Sequence, residues 1–133
     1  MTFAGDHAQR LVVDLHVPRD VVLTGLRHEL AALLADLGED HLYDVQLVVT
    51  ELVSNVLDHT TGSGRLRLFR TEEPCVITLE VDDDSATQPV YGHSRLGENR
   101  GRGMVMVESA TSKWGTSLRP GGGKTVFAVV PCP

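Results

Sequence analysis

The chain has 133 residues, 41% hydrophobic and 23% charged, which suits one soluble globular domain spanning 1–133. Twelve Lys and Arg against 18 Asp and Glu leave a net charge of −6, which argues against direct nucleic-acid binding, because phosphate attraction needs a basic face. No apolar run approaches the roughly 20 residues of a membrane span.

The opening MTFAGDHAQR lacks the basic and apolar regions of a secretory signal, so a cytoplasmic location is expected. RLVVDLHV (10–17) alternates as a strand. Pro18 suits the first turn of a helix over about 20–37, striped by Val22, Leu26, Leu30, Leu33, Leu34 and Leu37 and stopped by Gly38 at C′. Glu39 and Asp40 open a second helix that runs to about Asp58, with acidic charge at its positive end. TTGSG (60–64) is a turn cluster; RLRLFR (65–70) and CVITLEVD (75–82) then read as a hairpin. Asp83 to Arg100 has no apolar period, and connections of that length are usually functional or mobile. A short helix at 101–111 follows, then a final hairpin of 113–119 and 124–130 around the glycines at 121–123. Cys75 and Cys132 show no metal-ligand spacing and are too few for a disulfide scaffold, and the six histidines are scattered. The order β-α-α-β-β-loop-α-β-β calls for an α/β (α+β) two-layer sandwich, helices on one face of a mixed, largely antiparallel sheet.

Three features point to chemistry. In VVTELVSNVLDHT (48–60), Glu51, Asn55 and His59 are spaced by four, and each such step advances only about 40° around a helix. The apolar residues Val45, Val48, Val49, Leu52, Val53 and Val56 form the other side. The Asn55 amide oxygen suits Mg²⁺, and Glu51 could hold a metal-bound water or accept a hydroxyl proton. A solvated face with a fortuitous stripe is the alternative. Asp83 continues the inward phase of Ile77, Leu79 and Val81, where a carboxylate needs a donor such as an adenine amine. A solvated loop start in an acidic DDD run also fits it. Gly101 and Gly103 open a helix where backbone N–H groups and the flanking Arg100 and Arg102 could receive phosphate, although a flexible loop would look the same. No P-loop or Rossmann glycine pattern is present.

Taken together, the segments resemble the Bergerat-fold ATPases shared by gyrase, heat-shock chaperones, histidine kinases and mismatch-repair proteins. Within them the chain is most similar to the anti-sigma-factor serine/threonine kinases. TELVSNVLDHT (50–60) resembles the N box, LEVDDDS (79–85) the G1 box and GRGMVMVE (101–108) the G2 box. KWGTSLRPGGGKTVFAVV (113–130) resembles the closing hairpin, with Lys124 and Thr125 in its G-[KT]-T-V segment. The resemblance implies ATP and Mg²⁺ as cofactors, Asn55 as Mg²⁺ ligand and Glu51 as catalytic base. It implies Asp83 on the adenine amine, Thr125 near the adenine, and Gly101 and Gly103 admitting the phosphates. Ser85, Arg100, Arg102 and Met104 complete the nucleotide-binding set, His59 braces the pocket, and 84–100 forms a short ATP lid. It further implies a sigma factor and an anti-anti-sigma antagonist protein as partners, and a homodimer. The G1 segment, Asp83-Asp84-Ser85-Ala86-Thr87, lacks both glycines of the family's D-x-G-x-G. That departure favours the alternative, a catalytically weak or inactive nucleotide-binding regulatory interaction module.

Overall fold

The computed structural model describes residues 9–59, 63–83, 106–120 and 122–133. Strand β1 (Arg10–Val17) leads through two helices, α1 (Leu23–Leu33) and α2 (Glu39–His59), into the hairpin β2 (Gly64–Thr71) and β3 (Val76–Asp83). Residues 106–110 are helical and form α3; β4 (Lys113–Leu118) and β5 (Lys124–Pro131) close the chain. The five strands make one sheet in the order β1-β2-β3-β5-β4, and every neighbouring pair is antiparallel. The expected mixed character is therefore absent among the described strands. Helix α2 packs on β3 and β5 and against α1, which gives the two-layer α/β arrangement. No helix among the described residues is long and apolar enough to cross a membrane.

The period-two and helical patterns meet in one core. Leu66 and Leu68 of β2, Ile77, Leu79 and Val81 of β3, and Val126, Ala128 and Val130 of β5 are buried beneath Val45, Val48, Val49, Leu52, Val53 and Val56 of α2. At roughly 25 cal/mol per Å² of apolar surface removed from water, this layer interface is the main force holding helix to sheet. Polar links fix the ends. Gln46 Nε2 donates to the Arg27 carbonyl at 3.0 Å, Arg70 pairs with Asp36 at 2.6 Å, and Arg19 donates to the Leu57 carbonyl near the end of α2. Such carbonyls have no partner within the helix.

Helix α1 is shorter than its apolar stripe. Pro18 does not open it: the Val21 N–H bonds the Pro18 carbonyl in a separate turn, and no side chain caps the helix start at Val22. It ends at Leu33, Leu34 leaving helical angles, while Leu34 and Leu37 still fill the core from the connecting turn. Gly38 also differs from expectation. Its φ is not positive, and its carbonyl accepts the Leu42 N–H at 2.9 Å, so it starts α2 rather than ending α1. True left-handed glycines occur at Gly122 (φ 105°) and Gly123 (φ 82°), where Arg119 and Gly123 close the β4–β5 turn.

Candidate functional site

Asn55 follows Val48 by seven residues, two helical turns, and so falls only about 20° from it around α2. It therefore borders the apolar face instead of lying opposite, and it is 0% exposed, as buried as Val48 itself. Glu51 lies a further step round and is half-buried. The simple division into a core side and a polar side is thus replaced by a graded edge. A buried carboxamide is unfavourable in an apolar layer unless it is hydrogen-bonded, so Asn55 marks a polar spot in the helix–sheet interface.

The same end of the sheet carries Asp83. Gly64 pairs across β2–β3 with Asp83, and Val56 Cγ1 lies 4.0 Å from where a Cβ on Gly64 would sit. The last turns of α2, and Asn55 with them, thus reach the end of β3 that bears Asp83. Its side chain keeps the inward phase of Ile77, Leu79 and Val81 and is 1% exposed. Opposite it in register on β5 is Lys124, 0% exposed, whose Nζ donates to Asp83 Oδ1 at 3.1 Å and stands 3.1 Å from Oδ2. Arg119 Nη1 donates to the Asp83 carbonyl at 3.3 Å. Removing both charges from water is tolerable because each neutralises the other at hydrogen-bond distance.

Lys124 is the member of this buried cluster that motif matching left without a role. Its signal was available: it shares the period-two phase of Val126, Ala128 and Val130, which β5 turns inward. Thr125 has the opposite phase. Its hydroxyl donates to Asp82 Oδ1 at 2.6 Å on the outer face of the sheet, beside Arg67, whose Nη2 donates to Asp82 Oδ2 at 2.5 Å. The structure therefore groups Asn55, Asp83 and Lys124 at one end of the layer interface, with Glu51 a turn away, and leaves the Thr125 side chain on the other face. Ser85, Arg100, Gly101, Arg102, Gly103 and Met104 lie outside the described residues, as do the proposed lid and the side chain of His59.

The residues present fit the cofactors the resemblance implies. The Asn55 amide and Glu51 carboxylate are hard oxygen donors of the kind Mg²⁺ takes. Asp83 already accepts from a buried N–H donor, so its environment suits reading an amine, and an incoming amine has to share the carboxylate with Lys124. Beside this end, His16, Ser63, Gly64, Arg65, Asp82 and Arg119 line a polar cavity of about 360 Å³.

No curated protein matches the chain. Residues 18–129, from the turn after β1 nearly to the end of β5, match the histidine kinase-like ATPase domain. That span contains all three described helices, the Asn55 and Asp83 positions and most of the closing hairpin, and the chain belongs to the histidine kinase-like ATPase domain family.

Proposed function

We propose that this ATPase-family domain binds ATP with Mg²⁺ and acts as a protein serine/threonine kinase of the anti-sigma-factor type. In this reading it works in the cytoplasm as a homodimer, holds a sigma factor inactive and phosphorylates a serine or threonine of an antagonist protein. The observation that carries the reading is the burial of two polar groups, Asn55 and Asp83, at the same end of the α2–β3 interface within a matched ATPase domain. Asn55 holds the metal through its amide oxygen, Asp83 accepts from the adenine amine, and Glu51 takes the proton of the attacking hydroxyl. Bound Mg²⁺ supplies charge neutralisation on the phosphates. Phosphoryl transfer depends mainly on positioning and electrostatics, so this small set suffices.

The test contrasts two variants with a candidate antagonist and labelled ATP. Glu51→Ala should keep ATP binding and lose about 10²–10⁴-fold in transfer, the usual contribution of a positioned general base. Asn55→Ala should weaken both steps. Equal transfer by wild type and Glu51→Ala removes Glu51 from the chemistry.

A second reading, a nucleotide-binding regulatory module without catalysis, is favoured by the Asp83–Lys124 pair, which engages the adenine-reading carboxylate before any ligand arrives. Binding of ATP by the wild type without phosphorylation of any antagonist selects this reading over the kinase.

A further inference from the structure

At the opposite end of the sheet from Asp83, three metal-ligating side chains converge that no motif connects. The β3–β5 ladder pairs Val76 with Pro131 and continues one step further, where the Cys132 N–H donates to the Cys75 carbonyl at 3.0 Å. This holds the two cysteines, 57 positions apart, with their Cα atoms 5.6 Å apart and joined as a disulfide. His41, in the first turn of α2 and 4% exposed, lies against them. One ring nitrogen, Nε2, is 2.9 Å from the Val130 carbonyl, which can only accept, so Nε2 carries the proton. In the neutral ring Nδ1 then bears the lone pair, and it faces Cys132 Sγ at 3.4 Å. The ligand atoms of His41, Cys75 and Cys132 all lie within 4.8 Å of one another.

We propose that, with the disulfide reduced, Cys75, Cys132 and His41 Nδ1 form a binding site for a thiophilic divalent cation, Zn²⁺ foremost. Zn–S bonds of about 2.3 Å and Zn–N bonds of about 2.0–2.1 Å separate tetrahedral ligands by roughly 3.4–3.8 Å, a spacing within this cluster's reach. The imidazole is oriented as zinc-binding histidines usually are, its second nitrogen donating to a backbone carbonyl. The site opens onto a cavity of about 420 Å³ bordered by Glu39 and Asp40, which leaves the fourth position to a water or one of these carboxylates. The positive end of α2 favours the negative charge of two thiolates there.

Disulfide and metal exclude each other because both use the same two sulfurs. Reduction breaks the S–S bond: a dithiol reductant supplies two electrons and two protons and is itself oxidised to a disulfide. Metal binding then displaces the two thiol protons to solvent and leaves two thiolates on the cation. In a reducing compartment a cysteine pair of this kind is a dithiol, and its chemistry is metal or redox chemistry. The site is distinct from the nucleotide end and does not depend on the ATP reading.

The test titrates the reduced full chain with Co²⁺ under anaerobic conditions, using Co²⁺ as the spectroscopic probe. One equivalent should give a near-ultraviolet thiolate-to-cobalt band with the visible bands of a tetrahedral site, and Zn²⁺ should abolish both. The oxidised chain, Cys75→Ser and Cys132→Ser should lack the thiolate band or lose at least about tenfold in affinity, with circular dichroism confirming that they are folded. As a variant-free arm, Zn²⁺ should slow alkylation of both thiols in the reduced wild type, and a chelator should restore the rate. A folded, reduced wild type that shows no band and no protection overturns the proposal. So does a band of equal strength in the oxidised chain or in both serine variants.

Discussion

At the residue scale, the pair of Asp83 and Lys124 is the most consequential contact. A buried charge that loses an ion-pair partner keeps its desolvation penalty, so Lys124→Met should destabilise the fold, by up to about 3–5 kcal/mol. Asp83→Asn with Lys124→Met should cost much less than the sum of the two single changes, because no charge is then stranded. Denaturant titration of the four proteins measures this, and additive losses would show that the pair is not coupled. The same residue tests nucleotide recognition. Asp83→Asn replaces an acceptor-only group with one that also presents donors to the adenine amine, and should weaken ATP binding by about 5- to 150-fold, the equivalent of roughly 1–3 kcal/mol. Calorimetry has to be run where the variant is still folded. Unchanged affinity there would leave Asp83 a purely structural anion.

At the element scale, the start of β2 sets how closely β2 approaches β3. A Cβ on Gly64 would lie 2.8 Å from the Asp82 carbonyl oxygen, a backbone atom that cannot swing aside. Gly64→Ala should therefore force β2 and β3 apart next to Asp83 and cost about 1–3 kcal/mol, as overpacking of a tight site does. A melting temperature equal to wild type would show that the hairpin has slack. The two edge strands are protected differently from the interior ones. β1 carries Arg10, Asp14 and His16, and β4 carries Lys113 with most of its residues exposed, and charges along an edge discourage pairing with another sheet.

Across the whole molecule, one core joins the helices with β1, β2, β3 and β5, and Trp114 of β4 packs against it. Unfolding should accordingly be a single cooperative transition, with Trp114 fluorescence and far-ultraviolet circular dichroism changing together. Separate midpoints would mean that the β4–β5 end melts independently. Acid stability should reflect surface pairs around this core. The hydrogen bonds from Arg65 hold Asp14 below the usual aspartate value, and a hydrogen bond from Arg70 does the same for Asp36. A carboxylate whose folded value is lowered contributes stability above the ordinary aspartate range and loses it as pH falls through the lowered value. Asp14→Asn should lower stability near neutral pH, only slightly because the pair is exposed, and match the wild type at low pH, so that this part of the acid limb flattens. An acid limb identical to wild type would assign the slope to other groups.

What could be read from the residues alone is whatever the backbone period encodes locally. Alternation located β2, β3 and β5 to within a residue or two, the apolar stripe located α2, and the inward phase of β3 offered a buried Asp83 beside the solvated alternative. The spacing by four set Asn55 on the polar side, whereas its seven-residue offset from Val48 brings it to the buried edge of the apolar face. The ends of α1 escaped this reasoning, because hydrogen bonds in the flanking turns, not the leucine stripe, decide where that helix starts and stops. Partnerships across strands escaped it more completely. Period two says that Lys124 points inward, but only the β3–β5 register places it against Asp83. Chain spacing gave Cys75 and Cys132 no relation to His41, because 57 and 34 positions of intervening sequence carry no information about a shared sheet end. Only closure of the ladder beneath the first turn of α2 brings the three together, since non-local contacts are set by which surfaces bury each other and not by any local repeat.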